Sequence, residues 1–522
     1  MSLVKKFLTV GFSTLGSRLF GFVRDMLMAA ALGTGPVADV FYAAFRFPNL
    51  FRRLFAEGAF NLAFVPLFSK EIETHGDEGA KAFASEVFGV LFSALLILTI
   101  AMELAMPLLV RFVIAPGFAD DADKLSLTVR LTAIMFPYLS FMSLTAMMAG
   151  MLNSLRRYFA AAIAPVFLNL VLIIALAYAW WEGADAVATA HVLAWGVLAG
   201  GAAQLAVVFF DVRRAGMVFS VHKPKLTPKV KRLLYLAVPA AITGGVTQIN
   251  QLVGQAIASG KEGAIASLAY ADRIYQLPLG IFGIAVGVVL LPELSRALKG
   301  GHAREAESIQ NRSVEFVLFL TLPAAAGIWA LSEEIIRVLF ERGDFGPAST
   351  AVVAPILAVY GFGLPGFVLL KTFQPGFYAR EDSKTPMRYT VIAMGLNVVL
   401  AFTLFPIFFE RGIAMAEIAS GWLNTVLLGG TLFYKGNFKP GLQLFSRGAR
   451  IIFCAVLMGL AVRYLSTFAE SWLVPSAPFY KQGAALAALI AVAVTIYFPL
   501  TFITGAVDRE LLMKSLKGRK KA

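Results

Sequence analysis

The sequence predicts an all-α integral membrane protein with about fourteen transmembrane helices, and three observations predict it. The composition is 58% hydrophobic and only 15% charged, with a mean hydropathy of +0.75, whereas a soluble domain is about 25% charged. The apolar stretches are mostly 18 residues or longer, a length that crosses hydrocarbon as a helix but is far too long for a barrel strand. The basic residues are sorted into alternate loops. Thirty lie in one set of loops and ends, and only Lys124, Lys261, Arg342 and Arg411 lie in the other. That asymmetry follows the positive-inside rule and places both termini in the cytoplasm. It also accounts for most of the net charge of +14 without nucleic acid as a partner.

The first segment, 6–33, imitates a signal peptide, since Lys5 and Lys6 precede an apolar run and Ala29, Ala30 and Ala31 resemble a cleavage site. Arg18, Arg24 and Asp25 interrupt the run, however, so it reads as a retained first helix. The second segment, 38–68, carries Asp39, Arg46, Arg52, Arg53 and Glu57. Helices follow over 80–112, 127–153, 158–181 and 184–210, and the basic stretch 211–230 then breaks the series. Beyond it come 231–258, 265–294, 313–339, 350–378, 387–408 and 413–434, and finally 451–467 and 482–504.

The chain repeats at a spacing of about 227 residues. VPLFSK (65–70) returns as LPELSR (291–296), LTAIMFPY (131–138) as LAVYGFGLP (357–365), and NLVLI (169–173) as NVVLA (397–401). Four regions are therefore expected: an N-terminal lobe over 1–210, a cytoplasmic basic linker over 211–230, a second six-helix lobe over 231–434, and two extra helices with a basic tail over 435–522. Parallel repeats related by an axis along the membrane normal are a transporter architecture, with the substrate path between the lobes.

Twelve basic residues remain inside the predicted spans. Arg111, Arg130, Arg337, Arg463 and Lys481 lie near helix ends, where long side chains snorkel to the interface. Arg18, Arg24, Arg46, Arg52, Arg53, Arg273 and Lys371 do not. Each costs roughly 2.5–3.5 kcal/mol at the bilayer centre on insertion scales, so each must face protein or a water-filled cavity. At about 100° per residue, Asp39, Arg46, Arg53 and Glu57 form one stripe on the second helix, with Arg53 and Glu57 as an i,i+4 pair. Arg52 points about 100° away from Arg53. Arg18 and Asp25 share a bearing on the first helix, with Arg24 at its edge. Internal salt bridges that join helices explain part of this set. The nearby acids, however, are only Asp25, Asp39, Glu57 and Asp272. The surplus positive charge calls for an anion, and the planar fork of arginine suits phosphate or diphosphate.

Five motifs identify the family. GSRLFGFVRD (16–25), FPNLFRRLFAEGAFNLAFVP (47–66), APGF (115–118), YADRIYQLPLG (270–280) and PGFYARED (375–382) resemble the MurJ (MviN) lipid II flippases of the MOP exporter superfamily, across nearly the whole chain. The resemblance implies two lobes around a cationic cavity. It implies alternating access that moves lipid II, the undecaprenyl-diphosphate-linked precursor of peptidoglycan, to the outer leaflet of the bacterial cytoplasmic membrane. By motif position it assigns cavity roles to Arg18, Arg24, Asp25, Asp39, Arg52, Arg53, Glu57, Arg273 and Lys371. Asp39 falls near the outer end of its helix, where a periplasmic gate is expected. The last two helices resemble the family's groove for the polyprenyl tail, or are general lipid-facing helices. Lipid II, membrane lipids and other proteins of peptidoglycan synthesis are the partners it suggests.

No cofactor is expected. Gln248, Asn250, Gln251 and Asn397 place polar groups on the seventh and eleventh helices but no acid. Coupling to a monovalent cation therefore stands beside coupling to the membrane potential, worth about 2.3 kcal/mol per charge per 100 mV. A multidrug exporter would need an acidic or aromatic cavity for cationic drugs, and an O-antigen-type flippase is separated only by the motifs. An enzyme on polyprenyl diphosphate would need an acid cluster for Mg²⁺ or a nucleophile with its base. His75, His191, His222 and His302 are scattered, Asp120, Asp121 and Asp123 read as a solvated loop, and Cys454 is a lone residue in an apolar span.

Overall fold

A computed structural model describes residues 3–53, 60–220, 223–475 and 477–506. In chain order the helices are α1 (Leu3–Leu32), α2 (Pro36–Arg52), α3 (Phe60–Leu109), α4 (Ala122–Met135), α5 (Tyr138–Ser154), α6 (Phe159–Trp181), α7 (Ala186–Arg214) and α8 (Pro228–Ala258). They continue as α9 (Ala264–Lys299), α10 (Ala303–Phe340), α11 (Pro347–Tyr378), α12 (Lys384–Phe408), α13 (Glu410–Tyr434), α14 (Leu442–Ala469) and α15 (Phe479–Ile503). Among the described residues there is no strand beyond one isolated bridge between Arg342 and Phe345. The protein is an all-α membrane protein, as its composition predicts.

Nine helical stretches among the described residues are long and apolar enough to cross a membrane. The helices outside that set include α1, α2 and α9, which carry the internal arginines, while Lys371 lies on α11 within it. Two predicted boundaries shift. The loop expected between the second and third spans narrows to a kink at Gly76, whose φ of 65° and ψ of −165° break α3; glycine takes this left-handed backbone at no Cβ cost. The predicted fourth span remains one candidate span, Ala122–Ser154, but it is interrupted where Phe136 and Pro137 form a turn between α4 and α5.

Helix starts are set by local chemistry. Asp121, Asp185 and Thr227 cap α4, α7 and α8, their side-chain oxygens accepting the backbone N–H of Lys124, Ala188 and Val230, donors that a helix leaves open in its first turn. Asp121, read from sequence as part of a solvated loop, thus has a structural task. Pro48, Pro165 and Pro365 sit inside α2, α6 and α11 without ending them.

Contacts divide the chain into two compact units, Met1–Ala266 and Ser267–Ala522. This is a division by packing, whereas the repeat divides the chain by internal similarity. In the first unit the core lies among α3, α5 and α7, where Phe64, Phe68 and Phe83 stack at centroid distances of 5.4 and 5.8 Å against Met147, Met151, Val208 and Val212. Lipid tails are as apolar as leucine, so close packing rather than the hydrophobic effect joins such helices. Small residues permit it: a Cβ at Gly200 on α7 would lie 2.6 Å from Leu168 Cδ1 of α6. The base of α8 is fastened to α3, with Thr227 Oγ1 donating to Glu86 at 2.8 Å and Lys229 paired with Glu71 at 2.8 Å.

In the second unit α14 and α15 pack on α10. Ala330, Leu331, Cys454, Met458, Leu486 and Leu489 form the core there, and the Tyr497 hydroxyl donates to the Phe319 carbonyl at 2.7 Å. Their outer faces expose Phe453, Val456, Leu460, Ile490 and Val494, an apolar surface that belongs in lipid. Cys454 is fully buried, 3.3 Å from the Thr504 hydroxyl.

Candidate functional site

Within the first unit, α1 carries Arg24 and Asp25 almost wholly buried, with side chains 13% and 7% exposed. An uncompensated arginine at that depth would be expensive, and the structure compensates it on two sides. Arg24 donates from Nε (2.9 Å) and Nη2 (2.5 Å) to the Asp25 carboxylate, and from Nη1 to Asn169 Oδ1 on α6 at 2.8 Å. Asn169 in turn donates from Nδ2 to the Ser17 carbonyl at 3.0 Å. Arg18, the residue after Ser17 on the same helix, is half-buried.

Helix α2 holds the second group. Asp39 sits in its first turn, wholly buried, and accepts the backbone N–H of Gly263 at 2.6 Å and of Ala266 at 2.9 Å. These are open amides of the α8–α9 turn and the first turn of α9, where the helix dipole also favours a carboxylate. Lys124 Nζ stands 3.8 Å from the same carboxylate and 4.3 Å from the centre of the Phe118 ring.

Further bonds fasten this turn. Ser259 Oγ accepts the Gly117 N–H at 2.8 Å, and Gln255 Nε2 donates to the carbonyls of Ile114 at 3.1 Å and Ala43 at 3.3 Å. The APGF motif is therefore structural, because Gly117 lies too close to the Ser259–Gly260 backbone for any side chain.

Farther along α2, Arg46 is half-buried and Arg52 donates from Nε to Asn49 Oδ1 at 2.8 Å. Arg53 is half-buried at the end of the helix. Glu57 lies outside the described residues, so the lower end of the predicted stripe is not defined.

In the second unit Arg273 and Asp272 are half-buried on α9, and Gln276 donates to the Asp272 carboxylate one turn on. Lys371 on α11 is half-buried. It occupies space kept open by Gly283 of α9, where a Cβ would come within 2.7 Å of Nζ. Close by in sequence terms, Tyr275 and Tyr360 stack at 5.3 Å, and the Tyr360 hydroxyl donates to Glu417 at 3.2 Å.

The PGFYARED motif ends at the loop before α12. There Asp382 accepts the backbone N–H and the hydroxyl of Thr385, with Lys435 at 3.5 Å. These bonds hold its carboxyl below the usual carboxylate value.

The sequence places Arg18 and Asp25 on one bearing with Arg24 at its edge, whereas in the structure Arg24 is the arginine bonded to Asp25. The sequence reading overlooks Asn169, Lys124, Gln255 and Glu417. Asn169 was legible only as a repeat mark in NLVLI, although a lone amide in a span as apolar as 159–181 is itself a signal. Among the described residues no group of three or more His, Cys, Asp or Glu side chains is placed to hold a metal ion.

Residues 28–483 match the family model described as lipid II flippase MurJ. A probable lipid II flippase MurJ of Rhizobium tropici is 62% identical over all of this chain and 98% of its own length. A probable lipid II flippase MurJ of Rhizobium meliloti is 60% identical over 99% of this chain and 97% of its own. Among solved structures, a lipid II flippase MurJ in an inward closed conformation superposes with a TM-score of 0.77 at 25% identity, covering 95% of this chain and 98% of that one. An inward-facing multidrug resistance MATE transporter of the MOP superfamily shares the fold, with a TM-score of 0.67 at 14% identity over 81% of this chain and 95% of that one. The chain belongs to the lipid II flippase MurJ family.

Proposed function

We propose that this chain is a transporter that carries lipid II from the inner to the outer leaflet of the bacterial inner membrane by alternating access, supplying peptidoglycan synthesis. The observation that carries this reading is the charge of the first two helices. Between residues 16 and 58 five arginines stand against three acids, in a part of the chain where cations are costly unless an anion joins them. A diphosphate matches that need in charge and in geometry.

Arg24, Arg18 and Arg273 hold the diphosphate and sugar head group, supported by Arg52, Arg53 and Lys371. Asp25 and Glu57 hold arginines while no substrate is bound. Asp39 closes the outer side through the amides of Gly263 and Ala266. Six-helix lobes over 1–210 and 231–434 change their mutual arrangement during the cycle, and α14 and α15 carry the polyprenyl tail along their apolar faces. Both termini lie in the cytoplasm, as the loop charges require. The membrane potential acting on the net positive charge of the site supplies the drive, in keeping with the absence of an acid on α8 and α12. Other proteins of peptidoglycan synthesis receive the product.

The test is complementation. A bacterium depleted of its own flippase and expressing this chain should grow and expose lipid II on the outer leaflet. Full-length, membrane-inserted protein that left lipid II inside would defeat the reading.

A further inference from the structure

We propose that Asn169 is a positioning residue for Arg24, setting the pose in which its guanidinium meets the anionic head group. This rests on the reading that Arg24 binds the diphosphate of the substrate. The geometry carries it in three steps. First, the amide cannot turn freely. Asn169 is 7% exposed, and its Nδ2 donates to the Ser17 carbonyl at 3.0 Å. That bond fixes which side of the amide carries oxygen, and so makes Oδ1 the atom presented to Arg24.

Second, the two acceptors take different parts of the fork. Asp25 takes Nε and Nη2, both through Oδ1, while Asn169 takes Nη1. A guanidinium has five N–H groups, so these three contacts leave two donors for a ligand while the plane of the group is fixed from two sides. Asp25 alone is the adjacent residue on the same helix, and one carboxylate oxygen leaves the plane free to swing about it. The second point of attachment comes from α6, 145 residues away.

Third, the partner is neutral. A carboxylate in place of Asn169 would surround Arg24 with two negative charges and cancel its attraction for a diphosphate. An amide orients the cation and leaves its charge for the substrate. The arrangement also ties the aim of Arg24 to the packing of α1 on α6, since Asn169 grips α1 at both Ser17 and Arg24.

The experiment is a double-mutant cycle on full-length protein in nanodiscs, with lipid II binding measured by native mass spectrometry. Asn169→Ala is made in the parent and in Arg24→Ala. The near-isosteric Asn169→Leu is carried in parallel, so that a folding defect in the smaller side chain does not decide the result. In the parent, either Asn169 change should weaken lipid II binding about tenfold, the order of one hydrogen bond to a charged group. In the Arg24→Ala background the same change should matter less than about twofold, because a residue that acts through Arg24 has nothing left to position. Equal losses in both backgrounds would show a general packing role and overturn the proposal, as would parent-like binding by Asn169→Leu. Parent-like binding by Arg24→Ala alone would instead defeat the underlying reading of Arg24, and the inference with it.

Discussion

Asp25 and Asp39 are both buried carboxylates of the first unit, yet they are satisfied in opposite ways. Asp25 is met by a side chain, the guanidinium of Arg24 on the next residue. Asp39 is met by main chain, the amides of Gly263 and Ala266 at the start of α9. The difference matters for a transporter. A guanidinium has more donors than these partners use, so in the proposed site Arg24 can take a phosphate without any helix moving. Backbone amides have no donor to spare, and the Asp39 bonds break only when α2 and the α8–α9 turn part. On the proposed function, the first acid belongs to a binding site and the second to a gate.

Substitutions should break this comparison in a definite order. Arg24→Ala should abolish flipping, since it removes the head-group ligand and leaves Asp25 buried without its cation. Cells that depend on the variant should stop growing at normal protein levels. Asp39→Ala should act next most strongly, but on conformation. It loses two charge-assisted hydrogen bonds, together worth about 3 kcal/mol. Amide exchange over 259–266 should therefore speed up markedly, with the 17–25 region unaffected.

Much of this was legible in the sequence, and what was not has a physical cause. The helices show because lipid demands long apolar runs with all backbone bonds internal. Arg24 and Asp39 show because a charge in such a run is anomalous. Their partners do not show. Lys124 reads as one more loop cation, and nothing in its neighbourhood says that it stands 3.8 Å from Asp39. Asn169 is neutral, so the charge pattern does not single it out. The turn at Phe136–Pro137 divides a stretch that has the length of one span, and Gly76 compresses a hairpin into one residue because φ of 65° suits glycine. Glu417 lies near the start of its span, where an acid reads as interfacial, and its partner Tyr360 comes from α11.

Smaller effects sharpen the contrast between ligand and scaffold. Gly283→Leu should push Lys371 from its place beside α9 and reduce transport several-fold, while the protein still inserts and purifies normally. An unchanged transport rate would remove Lys371 from the site. The smallest effect belongs to Asp382, in the turn between α11 and α12. Its folded carboxyl titrates below the unfolded value, so its contribution is present above about pH 4 and fades as pH falls through the folded value. Asp382→Asn keeps a capping oxygen but removes the charge, and should cost about 0.5 kcal/mol at neutral pH. Thermal melts of parent and variant should converge in acid. A gap that stayed constant from pH 7 to pH 3 would mean that the carboxylate is not the group at work.

The central claim is that a buried arginine with donors to spare takes the diphosphate of lipid II. It is tested most directly by the amount of lipid II on the outer leaflet of cells whose sole flippase is the Arg24→Ala chain, at matched protein levels. The account predicts that lipid II stays inside, as in depleted cells. Outer-leaflet lipid II equal to that of the parent chain would contradict it.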